Sequence, residues 1–222
     1  MTSIGFPSAA TEFFAALEDD NSREHFAAQR DVFDRAVKEP MAALLAALPP
    51  RYGTFHVFRI HRDVRFSADK SPYKLQHGAV HEDRGGVRYL HLDADGLLCA
   101  TGAYVFSPDQ LERFRAAVDD PGSAAALRRA LNAVQKYLEV GPGGSAPLTT
   151  APRGYRRDHP RIELLRQKGL IASDRLGGSA LRDGDRVLAF VLATFEAGAP
   201  LNRWLTKHVG EAEHRPEPGR GH

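Results

Sequence analysis

The feature that most constrains the fold is a change of hydrophobic periodicity along the chain, from helical spacing to strand spacing and back. Residues 9–48 place apolar side chains three, four and seven residues apart, which is typical of amphipathic helices. Between residues 52 and 104 apolar and polar residues alternate, which indicates β-strands, and after residue 107 the helical spacing returns. This order predicts an α+β fold, with a central antiparallel sheet and helical N- and C-terminal regions, and not a doubly wound parallel sheet.

Short local signals predict where the elements begin and end. Asn21 and Glu24 stand three residues apart, as in a capping box, and residues 107–110 (Ser-Pro-Asp-Gln) begin another helix. Residues 93–96 lie between two apolar runs and predict a hairpin turn. Further helices are expected over residues 123–138, from Asp158 through Leu165, and from about Asp183 or Asp185, the last followed by a short segment around Leu201, Trp204 and Leu205.

Residues 58–66 alternate most regularly and predict a strand, with apolar residues at even positions and polar or charged residues at odd positions. Arg59 and Arg65 then share one face with Asp63 between them. Arg62 is the exception, because it falls on the apolar face. An arginine in such a place needs a carboxylate, backbone carbonyls or an anionic ligand as its partner.

Composition places the chain among globular proteins, because 222 residues with 42% hydrophobic content can fill a core. A single Cys99 excludes an internal disulfide framework, and its apolar surroundings favour an inert core thiol. The N-terminus lacks the pattern of a signal peptide, and no run approaches the roughly 18 apolar residues of a spanning helix. We therefore expect a cytoplasmic protein without membrane contact, with one domain over residues 1–210 and a disordered tail over residues 211–222.

The net charge of +2 is unevenly distributed. Residues 51–74 contain six Lys or Arg and two Asp or Glu, and residues 151–168 contain the same numbers, so each segment carries +4 on a background of −6. The mild overall charge argues against a general nucleic-acid coating protein. Local basic clusters are nevertheless how a globular protein holds phosphate or carboxylate groups.

The first basic segment, residues 51–74, has the composition of an anion site. Guanidinium groups bind carboxylate or phosphate bidentately, lysine adds a mobile charge, and a tyrosine offers a hydroxyl and a stacking face. The alternative is an internal salt-bridge network, in which Arg59, Asp63 and Arg65 satisfy one another and Asp69 pairs with Lys70. Asp63, Asp69 or His61 could also supply acid–base chemistry, so enzyme activity stays open. The candidate ligand-binding residues in this segment are Arg59, Arg62, Arg65, Lys70, Tyr73 and Lys74.

The same stretch resembles the signature of a known family. Residues 59–67 and 69–74 are similar to the signature of the bacterial and fungal domain-of-unknown-function family 2461, and residues 14–26 and 152–165 are similar to two further motifs. The resemblance extends from about residue 6 to residue 208. The chain departs from the family pattern with Asp20 in place of Asn, His25 in place of Trp and Arg153 in place of Lys. The resemblance implies a shared fold and a shared surface, but no established reaction.

The second basic segment, residues 151–168, coincides with the later motif of that family. Residues 153–157 precede the helix expected to open at Asp158, so cations and a helix N-terminus would meet in a favourable environment for an anion. The alternative is a solvated loop. Arg153 and Tyr155 complete the set of candidate ligand-binding residues.

Other chemistries have weaker support in the sequence. His77 and His81 stand four residues apart but lack the glutamate of the zinc-protease motif, and we assign no metal ligands and no cofactor. The chain has no P-loop and no nucleophile elbow. We therefore expect a small phosphorylated or carboxylated ligand first, a nucleic-acid-binding module second, and a structural or partner-binding domain without a ligand third. The oligomeric state is not predicted.

Overall fold

Helices from both ends of the chain pack on one antiparallel sheet. The computed structural model describes residues 4–65, 69–83 and 86–213, with Asp83 by its backbone alone. Within these ranges six strands form the sheet, in the order β1-β2-β3-β4-β6-β5. The strands are β1 (His56–Val57), β2 (His77–Asp83), β3 (Gly86–Asp93), β4 (Gly96–Ala103), β5 (Glu139–Gly141) and β6 (Leu170–Leu176). The predicted α+β class and its central antiparallel sheet are confirmed.

The helices lie before, within and after the strands. The N-terminal group consists of α1 (Ser8–Asp19), α2 (Arg23–Ala28), α3 (Arg30–Val32), a π-helical turn (Phe33–Lys38) and α4 (Glu39–Ala47), followed by a 3₁₀ turn (Pro50–Tyr52). The later group consists of α5 (Pro108–Asp119), α6 (Pro121–Val134), α7 (Ile162–Leu165), a 3₁₀ turn (Gly178–Arg182) and α8 (Gly184–His208). None of the helices in the described ranges combines the length and the apolar character needed to cross a bilayer.

The β3–β4 hairpin forms as predicted. Asp93 pairs with Gly96 across the turn, and Leu90 pairs with Cys99 further along the ladder. Gly96 has a φ of 121°, and a Cβ there would lie 2.3 Å from the carbonyl oxygen of Leu176, so only glycine fits. Cys99 is fully buried, and burial raises the pKa of its thiol, which therefore stays protonated as expected for a core thiol.

Two hydrophobic clusters make up the core, and α8 contributes to both. Its first half packs Val187, Val191 and Phe195 against the N-terminal helices and the sheet. Its second half packs Leu201, Trp204 and Leu205 against α5, α6 and β6. The expected separate segment around these last residues is wrong: one helix runs through Pro200, because buried side chains on both sides hold it in place.

Two of the predicted helix starts are confirmed, and in both the predicted capping residue lies directly before the first residue of the helix. Ser107 and Gln110 form the predicted capping box of α5, and Asp183 accepts hydrogen bonds from the backbone of the first turn of α8. Asn21 is not the N-cap of α2. Ser22 takes that role and accepts a hydrogen bond of 3.1 Å from the His25 backbone, because the Asn21 side chain is bonded elsewhere.

Residues 58–65 do not form the predicted strand, and the last predicted position, 66, lies outside the described residues. A strand needs a continuous ladder of backbone partners. Here the ladder to the sheet ends where the Phe58 N–H donates to Gly78 O over 2.9 Å. The next backbone bonds, of 2.8 and 2.9 Å, join this segment to residues 72–74 of its own loop. The alternation is real, but no strand of the sheet lies beside it.

Three later elements also differ from prediction. The second helix after the hairpin covers residues 121–134 instead of 123–138, with Asp120 as its N-cap, and the chain then enters β5. β6 was not predicted, because three of its seven residues form the polar run Ser173-Asp174-Arg175. Residues 211–213 of the predicted tail lie against α5, where Arg113 Nη2 donates to Glu211 O over 2.6 Å. Residues 214–222 lie outside the described part of the chain.

Candidate functional site

The cations in the middle of the first basic segment have partners within their own loop. Arg62 pairs with Asp69. Arg65 holds Asp63 bidentately, with Nε–Oδ1 and Nη2–Oδ2 distances of 2.9 and 2.6 Å. Lys70 Nζ donates to the carbonyl of Val64 over 2.9 Å. Arg65 and Lys70 therefore stabilise the loop conformation.

The two carboxyl groups of this loop are held in the ionised form. Hydrogen bonds from Arg65 lower the pKa of Asp63 to about 2. Hydrogen bonds from Ser71, and then from Arg62, lower the pKa of Asp69 to about 2. Neither carboxyl is a proton donor near neutral pH, so acid catalysis by these residues has no support in the geometry.

Tyr73 is a buried anchor and not an open stacking face. Its side chain is 6% exposed, and its ring stacks on Phe26 at 4.0 Å with an interplanar angle of 13°. The Asn21 side chain donates to Tyr73 O and accepts from Tyr73 N, both over 3.1 Å. Two stretches with family-like motifs thus meet across 52 positions of the sequence, and their contact fixes the backbone that leads into Lys74.

Lys74 is half-buried next to this anchor. Its Nζ lies 5.3 Å from the centroid of the Phe58 ring, a cation–π contact. Burial lowers the pKa of Lys74, and the nearby guanidinium of Arg62 lowers it further. Within the described ranges no carboxylate lies within ion-pair distance of its ammonium group. Lys74 is therefore a partly desolvated cation that no anion among the described residues compensates.

His77, the first residue of β2, is the most unusual polar group nearby. It is 5% exposed, its ring meets the Phe33 ring edge-on at 5.4 Å, and neither ring nitrogen has a hydrogen-bond partner in the described structure. Burial first, and then the charges of Lys38 and Lys74, together lower the pKa of His77 to about 4. Buried polar groups are nearly always hydrogen-bonded, so a neutral imidazole with two unpaired nitrogens requires an explanation.

The π-helical turn brings the third cation to this place. Lys38 ends the turn, and Phe33, which contacts His77, begins it. Lys38 Nζ lies 3.6 Å from Asp34 Oδ1, and the lysine side chain is 60% exposed. Single π-helical turns occur often at functional sites, because the extra residue changes the direction in which side chains point.

We refer to Lys38, Arg62, Lys74 and His77 as the His77 cluster. Its three cations face two partly exposed carboxylates, Asp34 and Asp69, which leaves one net positive charge beside a neutral imidazole. The imidazole can donate one hydrogen bond and accept another. Such a set of groups suits a small anion better than a metal cation.

The second basic segment is not part of this cluster. Arg156 pairs with Asp158 over 2.9 and 2.7 Å, and the helix begins at Ile162 and not at Asp158, so the predicted meeting of cations and a helix N-terminus is wrong. Asp158 is drawn back to Arg156 instead of capping a helix. Arg161 donates to the carbonyls of Val118 and Asp119 over 2.6 and 2.5 Å and so stabilises the end of α5.

The remaining predicted residues lie apart from one another. Arg59 and Arg153 are exposed, and neither has an ion-pair partner among the residues described. Tyr155 packs against the second hydrophobic cluster, whereas Tyr73 belongs to the first. No hydrogen bond, ion pair or ring contact in the described ranges joins the two basic segments.

The sequence interpretation missed Lys38 entirely and considered His77 only as a metal ligand. In the structure each of the histidines has a different environment: His81 Nδ1 contacts Thr54 O at 2.8 Å, and His91 lies between Tyr89 and Asp93. Among the described residues no three His, Cys, Asp or Glu side chains gather as in a metal site. The signal in the sequence that pointed to His77 was its distance of four residues from His81. In β2 this distance places the two histidines on the same face of the strand.

Comparison with known proteins places the chain in a family without an assigned reaction. No curated protein matches it. Residues 9–204 match the family described as "Conserved hypothetical protein (DUF2461)", a range that includes every strand and nearly every helix. The match contains the signature stretch, the Asn21–Tyr73 contact and the whole His77 cluster. Since it covers most of the sequence, the chain belongs to this family of conserved hypothetical proteins.

Proposed function

We propose that the protein binds a small phosphorylated or carboxylated ligand at the His77 cluster. The observation that carries this proposal is His77 itself, a histidine 5% exposed, with both ring nitrogens unpaired in the described structure, in the field of Lys38 and Lys74. An anionic oxygen would accept a hydrogen bond from the imidazole and attract both ammonium groups. A cation at the same place would be repelled.

The state of Lys74 supports the same ligand class. A half-buried lysine with a lowered pKa is destabilised by its surroundings, here by burial and by Arg62. An anion between these cations would offset their repulsion. Charge-assisted hydrogen bonds contribute about 1.5–3 kcal/mol each, so two or three of them suffice for micromolar to millimolar binding.

The predicted ligand-binding residues then have different roles in the proposal. Arg62 and Lys74 supply charge to the ligand, and exposed Arg59 adds charge at the entrance to the loop. Tyr73 positions Lys74 through its contact with Asn21, and Arg65 and Lys70 hold the loop. Arg153 and Tyr155 stay predictions for a separate surface.

Isothermal titration of inorganic phosphate and of citrate tests the proposal. The double variant Lys38→Gln/Lys74→Gln should weaken binding of at least one of these anions by about tenfold or more, because it removes two charge-assisted contacts. The matched control is Arg128→Gln/Arg129→Gln on α6, which removes the same charge from an exposed surface. The proposal fails if neither anion binds the wild type, or if the test and control variants lose affinity equally.

A further inference from the structure

A second cationic site lies in a cleft of about 440 Å³ that shares no lining residue with the His77 cluster. One wall is the second half of α8, and the opposite wall is formed by the 3₁₀ turn at residues 50–52 together with Arg88 of β3. The volume falls within the range of about 300–1,000 Å³ that is typical of small-molecule sites. None of the predicted ligand-binding residues lines this cleft.

The charge in the cleft is strongly one-sided. Among the described lining residues Arg51, Arg88, Arg203 and Lys207 face one carboxylate, Glu196, which leaves a net charge of +3. Glu196 is engaged by Arg51 over 3.0 Å, and both side chains are more than half exposed. Arg203 and Lys207 stand one helical turn apart on α8, so their like charges are close together. Within the described ranges neither has a carboxylate at ion-pair distance.

The cleft is rigid where it meets the core. Arg51 and Arg88 both lie over the ring of Tyr52, with their guanidinium carbons 4.8 and 5.6 Å from its centroid. Tyr52 is 5% exposed, and its ring contacts the buried Phe195 at 5.3 Å. The two guanidinium groups therefore rest on a fixed aromatic support, which lowers the entropic cost of ordering them around a ligand.

A polar contact also holds α8 against the sheet under the cleft. Asn202 Nδ2 donates to Thr101 Oγ1 over 2.5 Å, and the Thr101 hydroxyl donates to Val87 O over 2.9 Å. This chain of bonds links α8 to β4 and β3. Arg203 and Arg88 follow Asn202 and Val87 in the sequence, so the backbone at both arginines is anchored next to this chain of bonds.

We infer that this cleft binds a small molecule that carries two linked phosphoryl groups. A terminal phosphoryl group carries about −1.5 to −2 charges near neutral pH and an inner one about −1, so two linked phosphoryl groups match the net charge of +3, whereas a single phosphate does not. Three arginines provide planar donors for bidentate contacts with phosphate oxygens. Two aromatic rings are found among the described lining residues, and both are buried: Tyr52 lies beneath two guanidinium groups and Phe195 is 2% exposed. Neither offers a free face for a stacked base, so the recognised part is the diphosphate itself.

Isothermal titration with inorganic pyrophosphate and with inorganic phosphate tests this inference. Arg203→Gln/Lys207→Gln should weaken pyrophosphate binding by about tenfold or more, since it removes two charge-assisted contacts. Arg128→Gln/Arg129→Gln on α6 is the control of equal charge, and it should bind pyrophosphate as the wild type does. Thermal unfolding without ligand shows whether each variant is folded, which is expected because these four side chains are exposed.

Three results would overturn the inference. The first is a wild type that does not bind pyrophosphate, or binds it no more tightly than phosphate. The second is an equal affinity in the cleft variant and the α6 control. The third is a loss of pyrophosphate binding in Lys38→Gln/Lys74→Gln as large as in the cleft variant, which would assign the diphosphate to the His77 cluster. A failure of phosphate or citrate binding at that cluster leaves the cleft result unaffected.

Discussion

The decisive property of His77 is that burial keeps it neutral while its two ring nitrogens stay unpaired in the described structure. Burying this imidazole without hydrogen-bond partners is tolerable only while the ring is neutral, because a buried charge would be unpaired. The neighbouring ammonium groups of Lys38 and Lys74 add to the cost of protonating it. The folded protein therefore resists a proton that the same side chain accepts readily in the unfolded chain.

This difference predicts that His77 makes stability fall with falling pH. The pKa of His77 is about 4 in the folded protein and 6.5 ordinarily, so between these values the unfolded state binds more protons. The free energy of unfolding should drop by about 3 kcal/mol from this residue as the pH falls from 7 to 4. Urea unfolding of wild type and His77→Gln across this range measures it. The variant should lose less stability, and parallel curves would contradict the prediction.

For Arg62 the sequence alone predicted that the side chain has a partner. Its place among apolar residues correctly predicted a partner such as a carboxylate. The structure supplies Asp69, for which the sequence predicted Lys70 as the partner. Asn21 shows the limit. Its spacing to Glu24 suggested a local cap, yet its side chain bonds Tyr73, 52 positions away. Local spacing cannot reveal a bond that only tertiary packing creates.

At the scale of elements, α8 shows how one helix ties together the sheet, both hydrophobic clusters and the cleft. Gly198 allows its close approach to β4: a Cβ at this position would lie 2.0 Å from Thr101 Cγ2. Thr101 cannot turn aside at low cost, because it is fully buried and its hydroxyl bonds both Val87 and Asn202. Helix propensity alone would favour alanine here by about 1 kcal/mol.

Gly198→Ala should therefore destabilise the protein by about 1–3 kcal/mol, because overpacking outweighs the gain in helix propensity. Gly141→Ala in β5 is the matched control, since a Cβ there meets no atom within 4 Å and should change stability by less than about 0.5 kcal/mol. Chemical denaturation of both variants measures the difference. A neutral or stabilising Gly198→Ala would show that α8 can move away from β4.

The elements that sequence patterns predicted well are those stabilised by their own residues. The β3–β4 hairpin and the capped starts of α5 and α8 depend on turn and cap chemistry within a few positions. Residues 58–65 alternate like a strand but lack a neighbour, and β6 has a neighbour without a clear alternation. The π-helical turn leaves no comparable signal, so the position of Lys38 beside His77 was not predictable.

At the scale of the whole molecule, the two basic segments have different roles: the first contributes cations to both candidate sites, and the second does not. The first segment contributes Arg62 and Lys74 to the His77 cluster and Arg51 to the cleft. In the second segment Arg156, Arg161 and Arg166 make contacts within their own part of the fold. Arg88, Arg203 and Lys207 lie outside both segments. The uneven charge along the sequence located three of the seven cations in the two candidate sites, because both sites assemble from residues that are distant in the chain.

Because the two sites share no residues, one can be disabled while anion binding at the other is measured. The pH dependence of that binding then reports the protonation of His77. Arg203→Gln/Lys207→Gln removes the charge of the cleft and leaves the His77 cluster intact, and sulfate keeps a constant charge between pH 5 and 7.5. A sulfate bound beside His77 stabilises the imidazolium, so binding and proton uptake reinforce each other. In this background the sulfate affinity should rise as the pH falls, by at most about thirtyfold if the anion restores the ordinary pKa of 6.5. The same titration with His77→Gln added should be nearly flat, and an equal pH dependence with and without His77 would remove this residue from the anion site.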